Sequence, residues 1–206
     1  MQRGKDRVAA LMAAGEAAFA DKGFDAATMT EIAARAGASI GSLYQFFPTK
    51  ELLAAALHVA RLDELSCMLD AVRADMAGRS AASLADQVLA GLVAFLDEHP
   101  AFIPLSERRD LDKARKQAVG AAMRTRIAAL MAGATPPLTA ERAEVVAILI
   151  LQLMKAAVAI SGNDDKAIRA KVIAELRRML TLYLDAGEPD AGTSDPGAGM
   201  TCATSP

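Results

Sequence analysis

The sequence predicts an all-α protein of about nine helices, and three observations carry that prediction. Ala, Leu and Met dominate most of the chain, and all three are strong helix formers. Runs of Val, Ile, Thr and aromatic residues with the period-two alternation of strands are absent. Apolar residues recur at three- and four-residue spacing between breaks marked by Gly and Pro. At 206 residues and 53% hydrophobic content, the chain is long enough to bury a sizeable core.

Each element has its own signal. Val8, Leu11, Met12, Gly15, Ala18 and Phe19 keep helical spacing over residues 5–21. This opening has a basic start and an Ala-rich middle like a secretory leader, but Asp6 and Glu16 interrupt it. A helix over 28–36 starts at the T-x-x-E capping box of Thr28 and Glu31, and Gly37 ends it. Ser39 caps a short helix over 39–46, in which Leu43, Phe46 and Phe47 are expected to face inward. A long fourth helix is expected over 49–77, broken by Ala77-Gly78-Arg79-Ser80, and a fifth over 83–97. His99-Pro100 and Pro104 read as a loop. Helix then resumes over 106–131, in two pieces meeting near Gly120. Residues 133–137 are a firm break, Thr139 caps a helix reaching residue 160, and Ser161-Gly162-Asn163 ends it. The last helix is expected over 165–185. From Gly187 onward there is no Leu, Ile, Val or Phe, so residues 187–206 are expected to be disordered.

Composition narrows the function classes. Two cysteines, Cys67 and Cys202, form neither a disulfide framework nor a metal-ligand cluster, and suit a reducing cytoplasm; no metal or cofactor is expected. The most apolar run, residues 145–160, is interrupted by Lys155 and is shorter than the roughly 20 residues of a membrane span, so no membrane partner is expected. The net charge is −2, and residues 1–61 hold seven basic against six acidic side chains. Electrostatics alone therefore points to no nucleic-acid coat. The local features are Arg3, Lys5 and Arg7, read as a basic arm before the first helix, and Lys50.

The segment TMTEIAARAGASIGSLYQFF, residues 28–47, is the most informative one. Two helices joined by three or four residues form the geometry that seats a second helix in the major groove of DNA. The second helix turns Ile40, Gly41, Ser42, Tyr44 and Gln45 outward, and Gly41 and Ser42 lack bulk. Lys50 follows the cap Thr49 at a helix start, where an ammonium opposes the helix dipole. A phosphate there would be held by the amide ends and the ammonium together.

From the first helix through Phe19, Gly23, Phe24, Thr28, Ile32-Ala33, Ala36-Gly37, Ser39, Gly41, Leu43-Tyr44, Phe47, Lys50 and Leu53, the chain resembles the amino-terminal domain of the TetR family of bacterial transcriptional regulators. The resemblance implies a helix-turn-helix DNA-binding domain over 1–50 and a helical effector-binding and dimerisation domain over 51–186. It also implies a homodimer formed through the last two long helices and a regulator that is not an enzyme. Thr28, Thr30, Ser39, Ile40, Gly41, Ser42, Tyr44, Gln45 and Lys50 are the expected DNA-binding residues, with Tyr44 and Lys50 on the backbone and Ile40, Gly41, Ser42, Gln45 and Thr30 towards bases. A palindromic operator and release by a small, mainly apolar effector are expected in turn.

The C-terminal half reads more weakly. Residues 145–160 are apolar nearly all round and need burial on every side, partly by a partner. Ile168, Val172, Leu176, Met179-Leu180 and Tyr183 make a stripe on the last helix, widened by Ile173 and Leu184. Met68, Leu92, Phe95, Phe102, Met123, Met131, Leu151 and Met154 are the expected effector residues, and ten methionines would let such a pocket repack; core filling explains them equally well. No buried charged constellation is evident, and His58 and His99 read as a helix-face and a helix-terminal residue.

Two other readings compete. Gly37-Ala38-Ser39-Ile40-Gly41 fits G-x-S-x-G, the nucleophile elbow of α/β-hydrolases, but that elbow needs a strand before the serine. A helical module for protein partners is the other. DNA retention that collapses with salt, ester turnover, or neither separates the three.

Overall fold

The computed structural model describes residues 2–106, 113–160 and 166–187, and these contain nine helices and no strand. They are α1 (Gln2–Ala26), α2 (Met29–Arg35), α3 (Ile40–Phe46), α4 (Lys50–Ala74), α5 (Ala81–Glu98), α6 (Phe102–Ser106), α7 (Lys113–Ala132), α8 (Ala140–Ile160) and α9 (Lys166–Asp185). The reading of 187–206 as disordered falls, beyond Gly187, outside the described residues, as does Ser161-Gly162-Asn163.

Side-chain caps set most of the starts. Thr28, Ser39, Thr49, Ser80 and Thr139 each accept a hydrogen bond from the amide three residues on, at 3.1–3.2 Å. Glu31 completes only half of the expected capping box: its amide donates to Thr28, while its carboxylate Oε1 accepts from Lys22 at 2.9 Å and from Arg35 at 3.0 Å.

Four expectations need correction. The first helix starts at Gln2, so Arg3, Lys5 and Arg7 lie in α1 and form no arm ahead of it; its irregularity comes at Gly23, whose φ of 78° suits a residue without Cβ. Pro104 breaks nothing, because in the first turn of α6 its missing amide would have had no helical partner. Gly120 lies inside an unbroken α7 on an open face, where glycine costs propensity only. Phe46 is 41% exposed. The buried pair on α3 is Leu43 and Phe47, four apart, which turns Phe46 away.

The apolar side chains gather in two clusters. Leu11, Ala18, Phe19, Ile32, Ala33, Leu43, Phe47, Leu53 and Leu57 fill the first, beneath α2 and α3, and Ala101 and Leu105 of the α6 region join it. Gly15 lets α1 and α4 approach closely, since a Cβ there would lie 2.9 Å from Leu53 Cδ2. The second cluster runs from Leu65, Leu69 and Val72 of α4 through α5, α7 and α8 to Leu180 of α9. Helix α4 is therefore shared: its first half packs in one cluster and its second half in the other. No helix among the described residues is long and apolar enough to cross a membrane.

Candidate nucleic-acid interface

The α2–α3 unit is assembled from local instructions. Helix α2 closes at Ala36, Gly37 takes a left-handed φ of 59°, and Ser39 is extended before α3 begins. Arg7 Nη1 donates to Gly37 O at 3.2 Å, so α1 braces the turn. Arg35, the last residue of α2, ties the helix to α1 again through Asp21 at 2.6 Å. The Lys22 hydrogen bond, with Arg35 assisting, holds the Glu31 carboxyl below its ordinary range, and Asp21 raises Arg35.

On this frame Thr28, Thr30, Ser39, Ile40, Gly41, Tyr44 and Gln45 are exposed and Ser42 is half-buried. Ile40 and Tyr44 stand in solvent at 39% and 48% exposure, while Leu43 between them is fully buried. Open space surrounds Gly41. The outward face of α3 thus pairs two large side chains with a gap between them. Thr28 and Ser39 also hold the caps, so their hydroxyl oxygens already accept one bond each. A helix and a turn, not a strand, lead into Ser39, so the nucleophile-elbow geometry is missing there.

Lys50 departs from its expected surroundings. Its Nζ donates to Phe24 O at 2.7 Å, Ala27 O at 2.9 Å and Asp25 O at 3.1 Å, and lies 4.4 Å from the centre of the Phe24 ring. An ammonium has three protons, and three carbonyls accept them. The charge that opposes the dipole of α4 therefore complements the carbonyl end of α1. Lys50→Met is expected to lower stability by about 2 kcal/mol, or roughly 4–8 °C in Tm, because three charge-assisted bonds are lost from one joint. A thermal melt checks this; an unchanged Tm with weaker binding to operator and scrambled DNA alike would instead identify Lys50 as a phosphate contact.

The expected effector residues do come together. Leu92, Phe95, Phe102, Met123 and Met131 are buried in the second cluster, and Met68, Leu151 and Met154 pack against it half-buried. Gly91 makes room for Met68, whose Sδ would lie 2.9 Å from a Cβ there. A surface hollow of about 410 Å³ opens elsewhere, between α5 and α9, lined by Asp86, Ala174, Arg177, Arg178, Thr181 and Leu182.

The apolar surfaces of α8 and α9 are only partly covered. Ala143, Val146, Ala147 and Ile150 face the core, while Val145, Ile148 and Leu149 remain 36–42% exposed. On α9 Leu180 is buried, whereas Ile168, Met179, Leu182 and Tyr183 lie in solvent. The predicted stripe is thus split between two faces. The sequence reading also missed a charged constellation at the α1–α4 contact: Arg61 Nε and Nη1 bind Glu16 and Glu64 at 3.0 and 2.6 Å. Its members are scattered along the chain, and the i, i+3 spacing of Arg61 and Glu64 is the only local trace.

A family model described as "Bacterial regulatory proteins, tetR family" matches residues 11–57, and one described as "Tetracyclin repressor-like, C-terminal domain" matches residues 80–184. No curated protein matches the sequence. Among solved structures, a TetR transcriptional regulator from Chloroflexus aurantiacus is similar at 20% identity and a TM-score of 0.67, with 90% of this chain and 97% of that one covered. A TetR/AcrR-family regulator from Thermobifida fusca aligns at 19% identity and a TM-score of 0.67, covering 85% and 97%. A TetR-like regulator from Rhodococcus aligns at 22% identity and a TM-score of 0.64, covering 88% and 97%. These likenesses concern the fold.

Proposed function

We propose, from the premise that the chain belongs to the TetR family of bacterial regulatory proteins, that it is a cytoplasmic homodimeric repressor. It binds a palindromic DNA operator through α3 and is released by a small, mainly apolar effector. The observation that carries the DNA reading is the outward face of α3, where Tyr44, Gln45, Ile40 and the bare backbone of Gly41 stand in solvent on a helix fixed from behind by Leu43 and Phe47. Tyr44 is assigned to a phosphate, and Ile40, Ser42, Gln45 and Thr30 to base edges. Lys50 serves by holding the end of α1 in place.

The uncovered apolar side chains of α8 and α9 support the dimer, because a second copy would cover them by the same patch. The eight-residue set from Met68 to Met154 is assigned to the effector, and α4, shared by both clusters, to the coupling.

Selection from random duplexes, followed by sedimentation and anisotropy, tests the proposal. A two-fold symmetric site, a dimer at micromolar concentration and an affinity falling steeply with salt are expected. Leu182→Glu should weaken dimerisation by about 100-fold or more, since two buried leucines contribute about 3 kcal/mol together, and should weaken operator binding with it. A wild-type monomer, or full-strength binding to one asymmetric half-site, contradicts the proposal. For the effector, a ligand found by thermal shift should lower operator affinity by the same factor by which operator lowers ligand affinity.

A further inference from the structure

His99, at the C-terminal cap of α5, is a buried polar side chain, 6% exposed, at the meeting point of α1, α4 and α5. Its Nδ1 lies 3.0 Å from Glu16 Oε1 and its Nε2 lies 3.1 Å from Glu64 Oε1. A neutral imidazole has one N–H and one lone pair, whereas both facing oxygens are acceptors. Glu16 is gripped by Arg61 on both of its oxygens and offers Nδ1–H a fixed acceptor. With the proton there, the Nε2 lone pair faces the lone pairs of Glu64 Oε1, and a positive centre between them is needed.

Glu98, the neighbour of His99, completes the arrangement. One ligand atom from each of Glu64, Glu98 and His99 lies within 4.8 Å of the others. Arg61 holds Glu64 Oε2 at 2.6 Å and leaves Oε1 on the imidazole side. Three carboxylates, Glu16, Glu64 and Glu98, surround the ring, and among the described residues the Arg61 guanidinium pairs with Glu16 and Glu64 and offsets one of the three negative charges. A divalent cation balances the other two.

We propose that Glu64, Glu98 and His99 bind one first-row divalent transition cation, zinc foremost, with Glu16 orienting the imidazole and the remaining position open to water. One nitrogen and two carboxylate oxygens suit such an ion, while magnesium and calcium favour all-oxygen shells. The carboxylate–histidine–metal relay, Glu16 to Nδ1–H and Nε2 to the ion, fixes the tautomer and ring orientation that ligation needs. The ion joins α4 to the end of α5 and, through Glu16, both to α1. The site stands apart from α3 and does not depend on the DNA reading.

The test uses the untagged full chain with Cys67→Ser and Cys202→Ser, freed of metal by chelator and titrated with Co²⁺ and then Zn²⁺. One Co²⁺ per chain with visible d–d absorption, displaced by Zn²⁺, is expected. Zn²⁺ at 100 times its Kd should raise Tm by about 5–10 °C. Glu98→Gln, an exposed position that leaves the fold intact, should weaken Zn²⁺ binding by about tenfold or more, and Glu16→Gln by about 10–100-fold. No cobalt spectrum with no Tm shift would mean that a proton fills the gap, and overturns the proposal. Full Zn²⁺ affinity in Glu98→Gln, or equal affinity for Mg²⁺, overturns it too.

Discussion

Gly41→Val is expected to weaken operator binding severely while leaving the fold intact. Nothing lies within 4 Å of a Cβ built at Gly41, and the residue sits inside α3, so the new side chain meets open space in the free protein. Helix propensity even improves. In the proposed complex the same volume would stand between the α3 backbone and the groove floor, and would lift Ile40, Ser42 and Gln45 away from the bases. The proposed dimer would suffer this at both half-sites. At about 1–3 kcal/mol for each half-site, affinity falls by roughly 30-fold to 10⁴-fold. Anisotropy on the selected operator, beside a thermal melt, checks both halves of the claim. Wild-type affinity in a normally folded Gly41→Val protein would show that α3 does not enter the groove by this face.

Arg61→Ala is expected to cause a large loss of stability. The guanidinium is held by Glu16, partly buried in α1, and by Glu64 in the next turn of α4. The Glu16 hydrogen bond raises Arg61 above its ordinary range. Burial pushes Glu64 up, yet with Arg61 donating to its Oε2 the carboxyl stays below the usual carboxylate range. Removing Arg61 leaves both carboxylates beside His99 without their main cation. Because the groups are partly hydrated, the cost is set at about 2–3 kcal/mol, below that of a fully buried pair. Tm should fall by roughly 5–10 °C. The melt belongs in chelator, so that no bound cation replaces the lost charge. A change under 1 °C would show that the cluster is too well solvated to hold α1 against α4.

The helix-turn-helix was legible because its instructions are short-range. Thr28 and Ser39 cap the amides three residues on, Gly37 supplies the one left-handed residue the turn requires, and Leu43 and Phe47 mark the inward face within a single turn. The exposed positions of α3 follow from those choices by helical periodicity. Phe46 failed for the same reason: at i+3 from Leu43 it competes with Phe47 at i+4, and packing beneath α3 chose Phe47.

The sequence by itself determined the all-α class, the caps, the breaks at Gly37 and around Gly78 and Gly133, and most of the outward side of α3. Tertiary structure decided the partners of the charged groups and which apolar faces stay bare. Lys50 finds its carbonyls 23–26 residues away, and His99 meets Glu16 across 83 residues and Glu64 across 35. Residues 145–160 of α8 are apolar nearly all round, and only packing buries Val146, Ala147 and Ile150 while leaving Val145, Ile148 and Leu149 open. Backbone dihedrals and caps answer to neighbours within a turn, whereas a buried charge or an uncovered face answers to how helices cross, and no local pattern records that crossing.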